Sequence, residues 1–184
     1  MKALKWIGII VVILGITGYF GMDYAKAQTK KHSPQDTISY KSGNLTLGAV
    51  YCSPSKKGRE IFGGLVPLNE VWRTGANEST TFTTNKRIKF GTEYVEAGTY
   101  SLWTIPQSSQ WTVILNSEIP GWGVDFSSKP SRNPEFDVIK INAAVYDVPE
   151  ALEHFTMAFE YNVNLSFAWD KTKVTVPIEF SNFD

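Results

Sequence analysis

In the last third of the chain, apolar side chains fall on every second residue. Phe155, Met157, Phe159 and Tyr161 alternate along one segment, Leu165, Phe167 and Trp169 along the next, and Val174, Val176, Ile178 and Phe180 along the last. A period of two places one face of an extended strand in a core and the other toward water or a second layer. A helix of period 3.6 cannot gather such a set on one side. Asn162 and the pair Asp170-Lys171 stand near the places where the chain must turn.

The same period reaches back to Thr37. Segments 37–40, 45–51, 80–90, 93–105, 111–116 and 136–146 read as further strands. Lys41-Ser42-Gly43-Asn44 has hairpin-turn chemistry, Glu96-Ala97-Gly98 signals a bend or bulge, and Pro106 ends a strand. About nine strands with turns at this spacing predict an all-β domain over 37–184, a single antiparallel β-sandwich or flattened barrel. Beyond the front of the chain, helix is expected only as a turn or two near Pro67–Trp72 and Pro149–Leu152. The stretch 117–135 holds three Pro and two Gly and reads as a long loop.

The front is different. Lys2 and Lys5 precede an uncharged apolar run from Trp6 to Met22. As a helix this run rises about 25 Å, at the short end of what spans a bilayer core of about 30 Å. Trp6 and Tyr19 lie near its ends, where aromatic belts sit. Residues 1–22 are therefore expected to be a transmembrane helix and signal anchor. Residues 23–36 follow as a polar tether, with the domain on the exported side of a membrane. The competing expectation is secretion after cleavage at Ala27, from the small-x-small pattern Ala25-Lys26-Ala27.

Eighteen basic and eighteen acidic residues give a formal net charge of zero. That balance argues against nucleic acid as a partner, which needs a basic face. The single cysteine, Cys52, excludes an intrachain disulfide. Two His and one Cys show no metal-ligand spacing, and Gly63-Gly64 and Gly121-Trp122-Gly123 are too short for a phosphate-cradling loop. No cofactor or metal is expected.

The stretch with most chemistry is VWRTGANEST at 71–80, which follows an apolar lead-in. Arg73, Asn77 and Glu78, with Arg59 upstream, form a candidate polar pocket. Guanidinium forks hold carboxylates and phosphates, and Trp72 or Trp122 offers a stacking face. The candidate ligand-binding set is therefore Arg59, Trp72, Arg73, Asn77, Glu78 and Trp122. It suits a non-catalytic module for a small polar or anionic ligand or an envelope partner protein. A hydrolase would instead use Glu78 as base and Arg73 as charge stabiliser. A third reading makes the cluster internal wiring of a segment that crosses outside the strand ladders. Cys52 with His154 as a nucleophile pair is weaker than a buried thiol and a surface imidazole.

The block SPSKKGREIFGGLVPLNEVWRTGANEST at 53–80, with AGTYSLWTIP at 97–106, WTVILN at 111–116 and GWG at 121–123, resembles the bacterial domain of unknown function 2911 family. The resemblance implies a small exported or membrane-associated β-rich protein over roughly residues 35–180. It brings no reaction and no ligand with it.

Overall fold

The computed structural model describes residues 2–161 and 163–180, with the backbone alone at 2–5, 22, 23 and 26. The expected turn residue Asn162 and the side chains of Lys2 and Lys5 lie outside the described set. The chain forms two compact units, 1–32 and 33–184.

The first unit is one α-helix, α1 (Lys2–His32). It runs on through the residues read as a tether. Among the described residues no helix is long and apolar enough to cross a membrane, so the expected transmembrane helix is not found. The described apolar side chains, 6–21, rise about 24 Å, short of a bilayer core of about 30 Å. Every one of them is exposed, Trp6 at 63% and Phe20 at 66%.

The second unit is a nine-stranded antiparallel sheet. Its strands are β1 (Gln35–Ser42), β2 (Leu45–Cys52), β3 (Thr81–Thr84), β4 (Ile88–Phe90), β5 (Glu93–Val95), β6 (Gly98–Pro106), β7 (Gln110–Asn116), β8 (Asp137–Glu160) and β9 (Asn164–Glu179). Their spatial order is β1-β2-β3-β6-β7-β8-β9-β4-β5. The expectation of a sandwich of separate sheets or a closed barrel is therefore corrected. One ladder runs from β1 to β5, and those two strands remain its open edges.

The single sheet still encloses a core by folding over itself. Phe82 of β3 and Phe90 of β4 have four strands between them in the ladder, yet their rings pack edge to face at 5.1 Å. Tyr51 of β2 meets Phe155 of β8 at 5.7 Å. One apolar cluster draws on β2 through β9. The long strands β8 and β9 make this possible. Their pairing shifts register between Asp147 and Leu152 and again before Thr156, and such bulges bend and twist a ladder.

Three local expectations change. Segment 80–90 is two strands, because Asn85-Lys86 turns the chain: Asn85 Oδ1 accepts from Thr46 N, and β4 leaves to pair with β9. Pro149–Leu152 stays within β8, and Pro67–Trp72 forms turns without helix. The one short helical turn in the domain among the described residues is a 3-10 turn at Pro134–Phe136, capped by Asn133.

Candidate functional site

Strands β2 and β3 are neighbours in the ladder, but the chain between them, 53–80, makes a long excursion. Its backbone finds partners on two strands. Trp72 and Thr104 exchange N–H···O bonds of 2.7 and 3.0 Å, Asn69 N donates to Pro106 O, and Leu102 N donates to Thr80 O. At the other end Lys56 N donates to Glu153 O and Phe155 N to Pro54 O. The excursion thus lies along the edge of β6 that β3 leaves unpaired, and reaches β8. This answers the demand that non-ladder backbone be satisfied.

Burial sorts the aromatic candidates. Trp72 is 9% exposed and packs with Phe62, Trp111, Phe155 and Trp169, the last nearly parallel at 6.1 Å. Its rings neighbour other rings, so it serves the core. Trp122 is half-buried in the loop after β7.

Arg59 is exposed and folds back on its own turn, with Nη2 donating to Ser55 O at 2.6 Å and Nε to Lys56 O at 3.0 Å. Its hydrogen bonds close the 55–59 turn; they do not reach Arg73.

The remaining candidates cluster. Residues 74–77 twist sharply: Thr74 and Asn77 have φ of 54° and 58°, and Gly75 143°. A β-branched residue in the left-handed region is strained. Thr74 is held there because its hydroxyl contacts Thr104 Oγ1 at 3.0 Å and its carbonyl accepts from Thr80 Oγ1 at 2.7 Å. Gly75 is required, since a Cβ would sit 2.8 Å from Cys52 O. Asn77 Nδ2 donates to Ser33 O, and Asn77 O accepts from Gly123 N. The site segment therefore ties together the first residue of the domain and the long loop.

This twist brings Glu78 to Cys52, whose Sγ donates to Glu78 Oε2 at 3.4 Å. Burial pushes the thiol's pKa up, and the hydrogen-bonded carboxylate pushes it further. Cys52 is thus a protonated, buried thiol rather than a nucleophile. His154 is exposed on β8, with its backbone bridging Ser55.

Arg73 is the unusual member. Its side chain is half-buried, and its Nε is buried with no hydrogen-bond partner. Burial pushes the guanidinium's pKa down, and nearness to Cys52 works the other way. Among the described residues Arg73 and Glu78 are not paired with each other, contrary to expectation: the titratable neighbour felt by Arg73 is Cys52. Beside the twist a cleft of about 230 Å³ is lined by Gln35, Val50, Tyr51, Cys52, Glu78, Ser79 and Thr81. Cys52 and Gln35 join the site through pairings that span tens of residues, which local sequence does not show, whereas Ser79 stands next to Glu78 in the 71–80 stretch. Among the described residues no group of three or more His, Cys, Asp or Glu is placed to hold a metal ion.

A one-sheet antiparallel β domain with a strained polar excursion beside one strand end is the class this fold and cluster define. The chain belongs to a family of proteins of unknown function, DUF2911, whose model matches residues 33–178. No curated protein and no solved structure matches it.

Proposed function

We propose that the domain is a non-catalytic binding module for a small anionic ligand, held at a membrane on the exported side by its N-terminal helix. The observation that carries the ligand reading is Arg73, a half-buried side chain whose Nε is buried without a hydrogen-bond partner among the described residues. Buried cations ordinarily have partners, and a carboxylate or phosphate is the natural one for a guanidinium fork. Trp122, one residue from the Gly123 that packs on Arg73, is the nearest stacking face along the loop. The membrane reading draws support from the exposed apolar side chains of α1 and from the lysines that precede them in the sequence.

A thermal-shift screen of small carboxylates and phosphates tests the ligand reading. A hit must raise the unfolding midpoint of the wild type and lose its effect in Arg73→Ala. An effect that survives in that variant refutes it. A hydrolase using Glu78 as base and Arg73 as stabiliser would instead lose turnover, and keep binding, in Glu78→Gln. Wiring alone would lose its fold in both variants. An intact mass and a carbonate-washed membrane fraction test attachment against cleavage at Ala27.

A further inference from the structure

Residues 123–131, inside the long loop, form a small finger. Ser131 N donates to Gly123 O at 3.2 Å, Val124 bridges Pro130, and Asp125 N donates to Lys129 O at 2.8 Å. One carboxylate pins the tip: Asp125 Oδ1 accepts from Ser127 N at 2.8 Å and from Lys129 N at 3.0 Å. Ser128 N donates to Asp125 O, and Ser128 takes a left-handed φ of 62° to close the turn. On this tip stands Phe126, 103% exposed, the most exposed of the large apolar side chains described. Single exposed apolar residues are ordinary. An aromatic ring left wholly to solvent on a turn that four hydrogen bonds hold is different: its backbone is already ordered for contact with something outside the chain.

The base of the finger points to what that is. Gly123 N donates to Asn77 O at 2.9 Å, and Asn77 Nδ2 donates to Ser33 O at 3.1 Å. Ser33 is the domain's first residue and follows directly on His32, the last residue of α1. The finger therefore rises from the end of the domain at which the chain enters from the helix. Residues 23–32 rise at most about 15 Å as a helix, and a headgroup layer takes up roughly 5–7 Å of that. The three residues from Gly123 to Phe126 reach at most about 10 Å, enough for the rest. Phe suits the boundary between headgroups and acyl chains, and the exposed Lys129 suits anionic headgroups. Asp125, the one acid in the finger, has its Oδ1 occupied by two backbone N–H groups. A protein partner explains the ring but not its place beside the helix entry. We infer that the finger is a second membrane contact, with Phe126 in the interfacial layer of the bilayer and Lys129 among its headgroups, holding the domain in one orientation. This rests on the membrane reading of α1.

The test uses the full-length protein in vesicles of phosphatidylcholine and phosphatidylglycerol, with an environment-sensitive fluorophore on Ser127→Cys. Cys52 is 1% exposed and should not take the label. Lipids spin-labelled near the headgroup should quench the fluorophore. Adding Phe126→Ser should at least halve that quenching and leave the unfolding midpoint unchanged. A label on Tyr161→Cys should stay unquenched: Tyr161 follows β8 closely after Phe159, whose ring meets Tyr40 toward the end of β1 that lies away from Ser33. Flotation of the vesicles reads attachment separately. A chain that does not float overturns both readings. A chain that floats with the Ser127 label quenched no more than the Tyr161 label, or equally in Phe126→Ser, leaves α1 at the membrane and overturns the second contact. A blue shift without lipid quenching that grows with protein density would give the tip to a second copy of the chain and overturn it too.

Discussion

The backbone of Gly123 lies against the stem of Arg73: a Cβ on Gly123 would meet Arg73 Cδ at 2.5 Å, Cβ at 2.8 Å and Cγ at 3.1 Å. Two of those atoms are near the main chain and cannot swing away as a side-chain tip can. The long loop and the polar excursion are therefore registered on each other at one point.

Gly123→Ala should lower stability by about 1–3 kcal/mol, the range for overpacking a filled contact. Gly121→Ala, two residues away with open space around its Cα, should change stability by no more than about 0.5 kcal/mol. Adding Arg73→Ala to Gly123→Ala removes the Cδ and Cγ contacts but leaves Cβ at 2.8 Å, so it should recover only part of the loss. Urea unfolding of the four proteins checks this; simple additivity would show that the loop clashes elsewhere.

Three buried indoles differ in one bond. Trp103 Nε1 donates to Ser101 Oγ at 2.8 Å and Trp169 Nε1 to Glu153 O at 3.2 Å, whereas Trp111 Nε1 is buried with no partner. The Phe62 ring, 4.9 Å from Trp111 and inclined at 62°, is its neighbour. Each Trp→Phe removes a similar volume, but Trp103→Phe strands Ser101 Oγ without its donor, Trp169→Phe leaves Glu153 O with its bond from Lys56 N, and Trp111→Phe leaves no acceptor behind. Trp103→Phe should cost about 1–3 kcal/mol more than Trp111→Phe, with Trp169→Phe between the two. Equal losses in denaturant melts would contradict the assignment.

How much of this was legible beforehand depends on the distance over which each feature is decided. Alternation along Val174, Val176 and Ile178 is local, and all three are buried on one face. The Gly43 turn is local too and separates β1 from β2 as read, whereas 93–105, read as one strand with a bend or bulge at Glu96-Ala97-Gly98, is two strands that part there. Whether 136–146 and 155–161 belong to one strand was not local, because pairing with β9 carries the chain through Pro149. One sheet rather than two was equally hidden: Phe82 against Phe90 is a matter of how β8 and β9 bend. At the site, Glu78 was visible as a carboxylate, but its thiol partner lies across the sheet at Cys52. Arg59 read as a site cation because spacing cannot show that it caps its own turn.

Acid should unfold the domain in part through Asp137. Burial raises its pKa, but Arg132 on both oxygens, Lys140 at 2.9 Å and Asn116 at 2.9 Å outweigh that and hold it at about 2, below the ordinary 3.8. Its side chain is 7% exposed, so solvent screens the network little. A depressed carboxylate pKa adds stability that is fully present above the ordinary value and is lost as pH falls through the folded one. About 2 kcal/mol should therefore disappear between pH 4 and pH 2. Asp137→Asn should lack that share at neutral pH and show a flatter acid limb in pH-dependent melts.

Arg73 gives the sharpest test of the cluster. If its guanidinium were wired to a buried acid, removing it would strand that acid and cost about 3–5 kcal/mol. The geometry says otherwise: Glu78 takes its hydrogen bond from Cys52, and Arg73 Nε is orphaned. Arg73→Met keeps the aliphatic stem that packs on Gly123 and removes the half-buried charge. Stability should stay within about 1 kcal/mol of wild type or rise, the behaviour expected where a site retains a group for a ligand at the expense of the fold. A loss of several kcal/mol in denaturant melts would mean that a protein acid already neutralises the guanidinium. An anion would then have no vacancy to fill.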